Sequence, residues 1–218
     1  MALPEDFRFS DVPPMQAEAE RRAIVLFGEN WRECCALAND DNGAAAICAK
    51  DNILSCDRER IRAFHIGNLH DLPDGSPAIV MYERDGVLKR IACYQSGKLH
   101  NPKIGGPAQI YYCPEGSISR IVHCRHGRHE DLFDGTPTKI EYSEAGDIAG
   151  GTSSLHGVLS AAQTKERLDA ARINRVKSSC LCLNGPRIRG KLLPDNGLPQ
   201  TVRLRKMHAY YISVISSM

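Results

Sequence analysis

Glycines recur every 30 residues through the middle of this chain, at Gly67, Gly97, Gly127 and Gly157, and that spacing limits the fold more than any other feature. Other columns keep the same period: Gly75, Gly105 and Gly135; Pro77, Pro107 and Pro137; Tyr82, Tyr112 and Tyr142; Gly86, Gly116 and Gly146. Five columns in ungapped register define three copies of one unit, 67–96, 97–126 and 127–156.

The chemistry of one unit is that of a β-hairpin. In Pro107–Tyr112 the side chains alternate, with Ala108, Ile110 and Tyr112 on one face and Gln109 and Tyr111 on the other. Pro114-Glu115-Gly116 turns the chain, the glycine supplying the positive φ of a tight turn. Ser117–Cys124 returns as a second strand with Ile118 and Val122 read as inward. One hairpin cannot bury its apolar face alone, so adjacent copies must extend one sheet.

The segment 42–66 reads as a worn copy, with Ala46-Ile47 set against Ala78-Ile79 and Asp51-Asn52 against Asp85-Gly86. Before it, 1–41 is a helical segment. Pro13-Pro14 opens a helix that runs to Phe27 with an apolar stripe of Ala23, Ile24, Phe27 and Trp31, and a second helix covers Trp31 to about Ala38. Asn39–Gly43 is a turn signal. After the repeats, 158–218 forms a C-terminal helix and a basic tail. The helix is placed over Leu155 to Lys177, where it caps the sheet's open end, and His208–Ile215 reads as a last strand. The expected class is therefore α+β: an antiparallel β-hairpin repeat sheet, 42–157, flanked by helices.

At its repeat columns the sequence resembles MORN-like repeats of the bacterial antitoxin-annotated type. Gly97-Lys98-Leu99-His100, Gly106-Pro107-Ala108 and Tyr112 carry the match best, over about 90 of the 218 residues. The first copy departs with Ser76 between glycine and proline. The third has Thr138 for the alanine and moves its histidine to His129. The resemblance implies a meandering antiparallel sheet that binds proteins or sometimes lipids, with no shared catalytic residues and a hint of a protein-neutralising role.

Composition narrows the partners. A net charge of +2 is too small to argue for nucleic acid or a membrane by itself, although basic residues dominate from Lys165 onward. There is no apolar run of the roughly 18 residues a membrane span needs. The start of the sequence shows no secretory pattern, and the nine cysteines are odd in number and scattered, so a cytoplasmic protein with reduced thiols is expected.

Chemical motifs are weak. His123-Cys124-Arg125-His126-Gly127-Arg128-His129 gathers imidazoles and a thiol, but alternation sends His123 and Cys124 to opposite faces. Cys180-Leu181-Cys182 is poorly spaced for a bridge. Asp74, Asp134, Glu115 and Glu144 lie in turns, where carboxylates bond backbone or meet water. No catalytic constellation, metal or cofactor is expected.

The leading expectation is a non-catalytic protein-binding module, an inhibitor, immunity or antitoxin-type protein. It would present Met81, Gln109, Tyr111, Arg120, Lys139 and Glu141 on the outer side of the sheet, since Tyr and Arg are favoured interface anchors. The alternative is a DNA-binding regulator. It would use the N-terminal helices, with Ala44–Lys50 as the second helix, together with Arg32 and the tail residues Arg187, Arg189, Lys191, Arg203 and Arg205. An exposed edge strand would permit a homodimer. Because the columns are structural positions, function is expected in what the copies do not share.

Overall fold

The described residues of the computed structural model are 3, 4, 6–38, 44–102 and 106–183, with the side chains of the last helix described as far as 173. They form an α+β fold in which an antiparallel meander runs between an N-terminal and a C-terminal helix. Helices α1 (Pro13–Phe27) and α2 (Trp31–Cys34) come first. Strands β1 (Ala36–Leu37), β2 (Ala45–Ala49), β3 (Asn52–Cys56), β4 (Arg60–His65) and β5 (Asn68–Leu69) lead into the periodic region. There follow β6 (Ile79–Tyr82), β7 (Leu88–Ala92), β8 (Tyr94–Gln95) and β9 (Lys98–Leu99). Next are β10 (Gln109–Tyr112), β11 (Ile118–Val122), β12 (Cys124–Arg125) and β13 (Arg128–His129). The order closes with β14 (Lys139–Tyr142), β15 (Ile148–Ser153), β16 (Gly157–Ser160) and α3 (Ala161–Leu183).

Each 30-residue period contains two kinds of turn. The hairpin β6–β7 turns at Glu83–Gly86, where the Gly86 N–H donates to the Glu83 carbonyl at 3.0 Å and the register shifts at Met81/Tyr82. Cys113–Gly116 and Ser143–Gly146 repeat the same bond and the same bulge. A glycine at positive φ followed by a bulge strengthens the local twist and sets the strands' register. The second turn is a tight pair at positive φ: Ile66-Gly67, Ser96-Gly97 and His126-Gly127. Gly97 also abuts the preceding period. Its N–H donates to the Leu69 carbonyl at 2.9 Å, and a Cβ there would stand 3.1 Å from the Asn68 side chain.

The strands lie in the order β1-β2-β3-β4-β6-β7-β10-β11-β14-β15-β16, each hydrogen-bonded to the next, with β5 added to β4. β8–β9 and β12–β13 are small separate hairpins. Because pairing is in register, one row of residues crosses the strands: Ile61, Val80, Ile91, Ile110, Ile121, Ile140, Gly151 and Leu159. This row is the core face. Helix α1 covers its first half, burying Met15, Ala19 and Ala23 against Ile47, Leu54, Ile61 and Val80. Helix α3 covers the far end of the same face, since a Cβ on Gly151 would meet the Thr164 side chain at 2.9 Å.

Several expectations change. The buried stripe of α1 is Met15, Ala19 and Ala23, with Glu18 and Arg22 among them, while Ile24 is exposed. Arg22 is only 1% exposed because its Nε donates to Glu18 at 2.7 Å and its Nη1 to the Pro77 carbonyl at 2.6 Å. The second helix stops at Cys34, and Ala36-Leu37 joins the sheet instead. Lys50 at positive φ turns β2 into β3, so the hairpin that occupies the copy position before β6 is β3–β4, turning at Asp57–Arg60. On β11 the bulge brings Ile121 into the isoleucine row, while Val122 is buried as expected, in a separate cluster with Ala108 and Cys124.

The C-terminal helix begins at Ala161, and Gly157–Ser160 before it is a strand. The reason is a reciprocal cap: the Gln163 N–H donates to Ser160 Oγ, and the Ser160 N–H donates to Gln163 Oε1. The turn at 39–43, Gly105 and the strand expected at His208–Ile215 lie outside the described residues, as does the basic tail. No described helix is long and apolar enough to cross a membrane.

Candidate functional site

The face opposite the isoleucine row carries a second row, also fixed by strand register: Arg60, Met81, Arg90, Tyr111, Arg120 and Glu141. Both helices pack on the other side, so this row belongs to the open face. Its composition alternates. Arg60, Arg90 and Arg120 stand 30 residues apart and form a constant column, whereas Met81, Tyr111 and Glu141 form a variable one.

Tyr111 is the centre of the row. The Arg90 guanidinium lies 5.1 Å from its ring centroid and that of Arg120 lies 4.8 Å away, one from each neighbouring strand. Cations over an aromatic face gain electrostatically from the ring quadrupole, so the three side chains hold one another upright. The tyrosine hydroxyl donates to Gln109 Oε1 at 3.1 Å. Neither Arg90 nor Arg120 has a carboxylate partner among the described residues, and the Arg90 Nε is buried without an acceptor. Arg60, by contrast, pairs with Asp57 at 3.0 Å, and Lys139 with Glu141 at 2.7 Å.

The expected presenting residues therefore divide. Tyr111 and Arg120 stand at the centre of the row, with Met81 half-buried beside Arg90. Glu141 ends the row, and its charge is balanced by Lys139. Gln109 is corrected: at 6% exposed it presents nothing to solvent and instead steadies the Tyr111 hydroxyl. Arg90 and Arg60 were missed. The signal that finds them is the same 30-residue period, since Arg60 and Arg90 precede Arg120 by two periods and one. On this face the copies share the arginine positions and differ at Met81, Tyr111 and Glu141.

The residues of the DNA-binding alternative fare differently. The expected second helix, Ala44–Lys50, is strand β2. Arg32 is committed to the N-terminal fold, donating to Glu20 at 3.0 Å and lying 4.4 Å over the Trp31 ring. Arg187, Arg189, Lys191, Arg203 and Arg205 lie outside the described residues.

Ionisable groups also gather around a cleft of about 520 Å³ at the junction of the first two periods, where His65, His70, Asp71 and His100 line the wall. Their polar atoms mostly serve the backbone. His70 Nδ1 accepts from the Ser96 N–H at 3.2 Å, and Asp71 Oδ1 accepts from Ala78 and Tyr94 N–H at 2.8 and 2.7 Å. In the same column, Asp131 accepts the corresponding bonds from Thr138 and Ser154 N–H, and Asn101 accepts from Cys124 N–H. This column ties one period to the next. Burial pushes the Asp71 carboxyl up to about 6 despite those two donors. In the histidine segment, His123 and Cys124 are buried, while His126 is in a turn at positive φ. Among the described residues no group of three or more His, Cys, Asp or Glu is arranged to hold a metal.

Comparison with protein-family models, curated proteins and solved structures finds no match for the chain.

Proposed function

We propose that the chain is a non-catalytic protein-binding module that engages an acidic partner surface through the open face of its sheet. The observation that carries this reading is Tyr111 held between Arg90 and Arg120, two cations that no described carboxylate neutralises. Tyrosine and arginine are the side chains that anchor protein interfaces, because each offers a large rigid contact with a polar end. Charge complementarity then sets the partner's sign and speeds encounter. The row crosses six strands of the sheet, an extent that suits a protein surface better than a small molecule. The likeness of the repeat columns to MORN-like units supports an inhibitor or antitoxin-type role, in which binding alone neutralises a partner.

The test is capture of partners from the native host by the full chain and by an Arg90→Gln/Arg120→Gln variant, with Arg125→Gln as a control for loss of an exposed arginine elsewhere. A stoichiometric protein retained by the parent and the control but lost by the double variant is the expected result. Retention by all three removes the reading. So does a double variant that loses salt-sensitive binding of nucleic acid while no protein is captured.

A further inference from the structure

We infer that the partner element is an acidic amphipathic α-helix, laid across the strands with its carboxylates seven residues apart. This deepens the proposed function and rests on it. Arg60, Arg90 and Arg120 sit in one row with a single strand between each pair, β6 between the first two and β10 between the last two. Adjacent strands are about 4.8 Å apart, so the arginines repeat at about 9.6 Å. An α-helix rises 1.5 Å per residue, which brings positions i and i+7 onto the same side about 10.5 Å apart. An extended chain covers the same distance in about three residues, and residues three apart in a strand point to opposite faces. The arginine column thus fits helical carboxylates and does not fit those of an added strand.

The variable column then reads the residues between the acids. Met81 lies between Arg60 and Arg90, and Tyr111 between Arg90 and Arg120, so each faces a position three or four residues beyond an acid. Both offer apolar surface, and Tyr111 is already braced by its flanking cations. Glu141 follows Arg120 but is already balanced by Lys139, so it asks no charge of the partner. The row therefore specifies acid, apolar, acid, apolar, acid along one helix face. Arg60 is the weakest of the three sites, because Asp57 already occupies it. Arg90 and Arg120 carry the recognition.

The probe is a pair of labelled synthetic helical peptides of identical composition, titrated into the full-length protein by fluorescence anisotropy. One carries Glu at i, i+7 and i+14, on one face; the other carries Glu at i, i+5 and i+10, which a 3.6-residue turn spreads to different faces. The first peptide is expected to bind at least about tenfold tighter. Arg90→Gln and Arg120→Gln should each remove most of that preference, while Arg125→Gln leaves it intact and circular dichroism confirms an unchanged sheet. Equal binding of the two peptides, or a preference that survives both substitutions, overturns the inference. If neither peptide binds but the captured partner still depends on Arg90 and Arg120, the helix assignment fails and the protein-binding reading stands. If the captured partner ignores those arginines, the protein-binding reading fails as well.

Discussion

Asp71 and Asp131 occupy one column of the repeat, two periods apart, yet their carboxyls move in opposite directions. Asp71 lies near the end covered by α1. Burial raises it to about 6, outweighing the backbone bonds from Tyr94 and Ala78 and the contact with the Cys93 thiol. Asp131 lies near the end covered by α3. Burial acts on it too, but the hydroxyls of Ser153 and Thr138 and the N–H groups of Ser154 and Thr138 hold it below the usual carboxylate range. Arg167 approaches it at 3.6 Å. The same residue at the same place in the unit thus has its proton affinity set by the balance of burial against the donors around it. Periodic sequence fixes the acceptor; the flanking helix and loop decide its electrostatics.

The two ends also differ in how they are fastened. On the α1 side Glu18 and Arg22 are buried together, and Arg22 reaches the Pro77 carbonyl. On the α3 side the corresponding contact, Arg167 with Asp131, is longer and partly solvated. Arg22→Ala should therefore destabilise by about 3 kcal/mol, because it orphans a buried carbonyl and weakens the pairing of Glu18, leaving Arg21 as its partner. Arg167→Ala should cost less than about 1 kcal/mol. Urea unfolding of both variants checks the ratio, and equal losses would break the comparison.

Next in size is Gly151→Ala. Ile91 and Ile121 fill this column under α1 and in mid-sheet, but at Gly151 a Cβ would stand 2.7 Å from the Lys139 carbonyl oxygen and 2.9 Å from Thr164 Oγ1. The expected loss is about 1–3 kcal/mol, with α3 loosened first. Amide hydrogen exchange should show faster opening of α3 and β16 than of α1.

The smallest expected effect is the most direct. A carboxyl raised in the folded state favours folding below its unfolded pKa and loses that contribution as pH climbs through about 6, so Asp71 should make the protein less stable from pH 4 to 7. Asp71→Asn keeps the acceptor, as Asn101 does naturally, and should flatten that slope. Asp131 is depressed, so its contribution is present near neutral pH and disappears as pH falls through its folded pKa. Asp131→Asn should lower stability near neutral pH and converge with the parent in acid. Chemical denaturation across this range separates the two, and parallel curves would show that the column behaves uniformly.

Much of this architecture was legible before any coordinates. The Gly86, Gly116 and Gly146 turns and the tight pairs ending in Gly67, Gly97 and Gly127 follow from local backbone chemistry, which a periodic sequence repeats faithfully. The outer position of Tyr111 and Arg120 was legible as well, because strand alternation is local. Arg90 stands one period before Arg120 behind the same bulge, so the repeat carries its outer position too. Ala45–Ala49 reads equally well as helix or strand over five residues, and only pairing with β1 and β3 decides it.

The sequence by itself determined the unit, its period and its turns, because those depend on residues within reach of one another along the chain. The tertiary structure decided which face both helices cover, which of two equivalent aspartates holds its proton more tightly, and which arginines line up across the strands. Those outcomes depend on the neighbours that pairing and packing bring together, and a 30-residue spacing acquires its meaning as a row of cations only when the strands lie side by side.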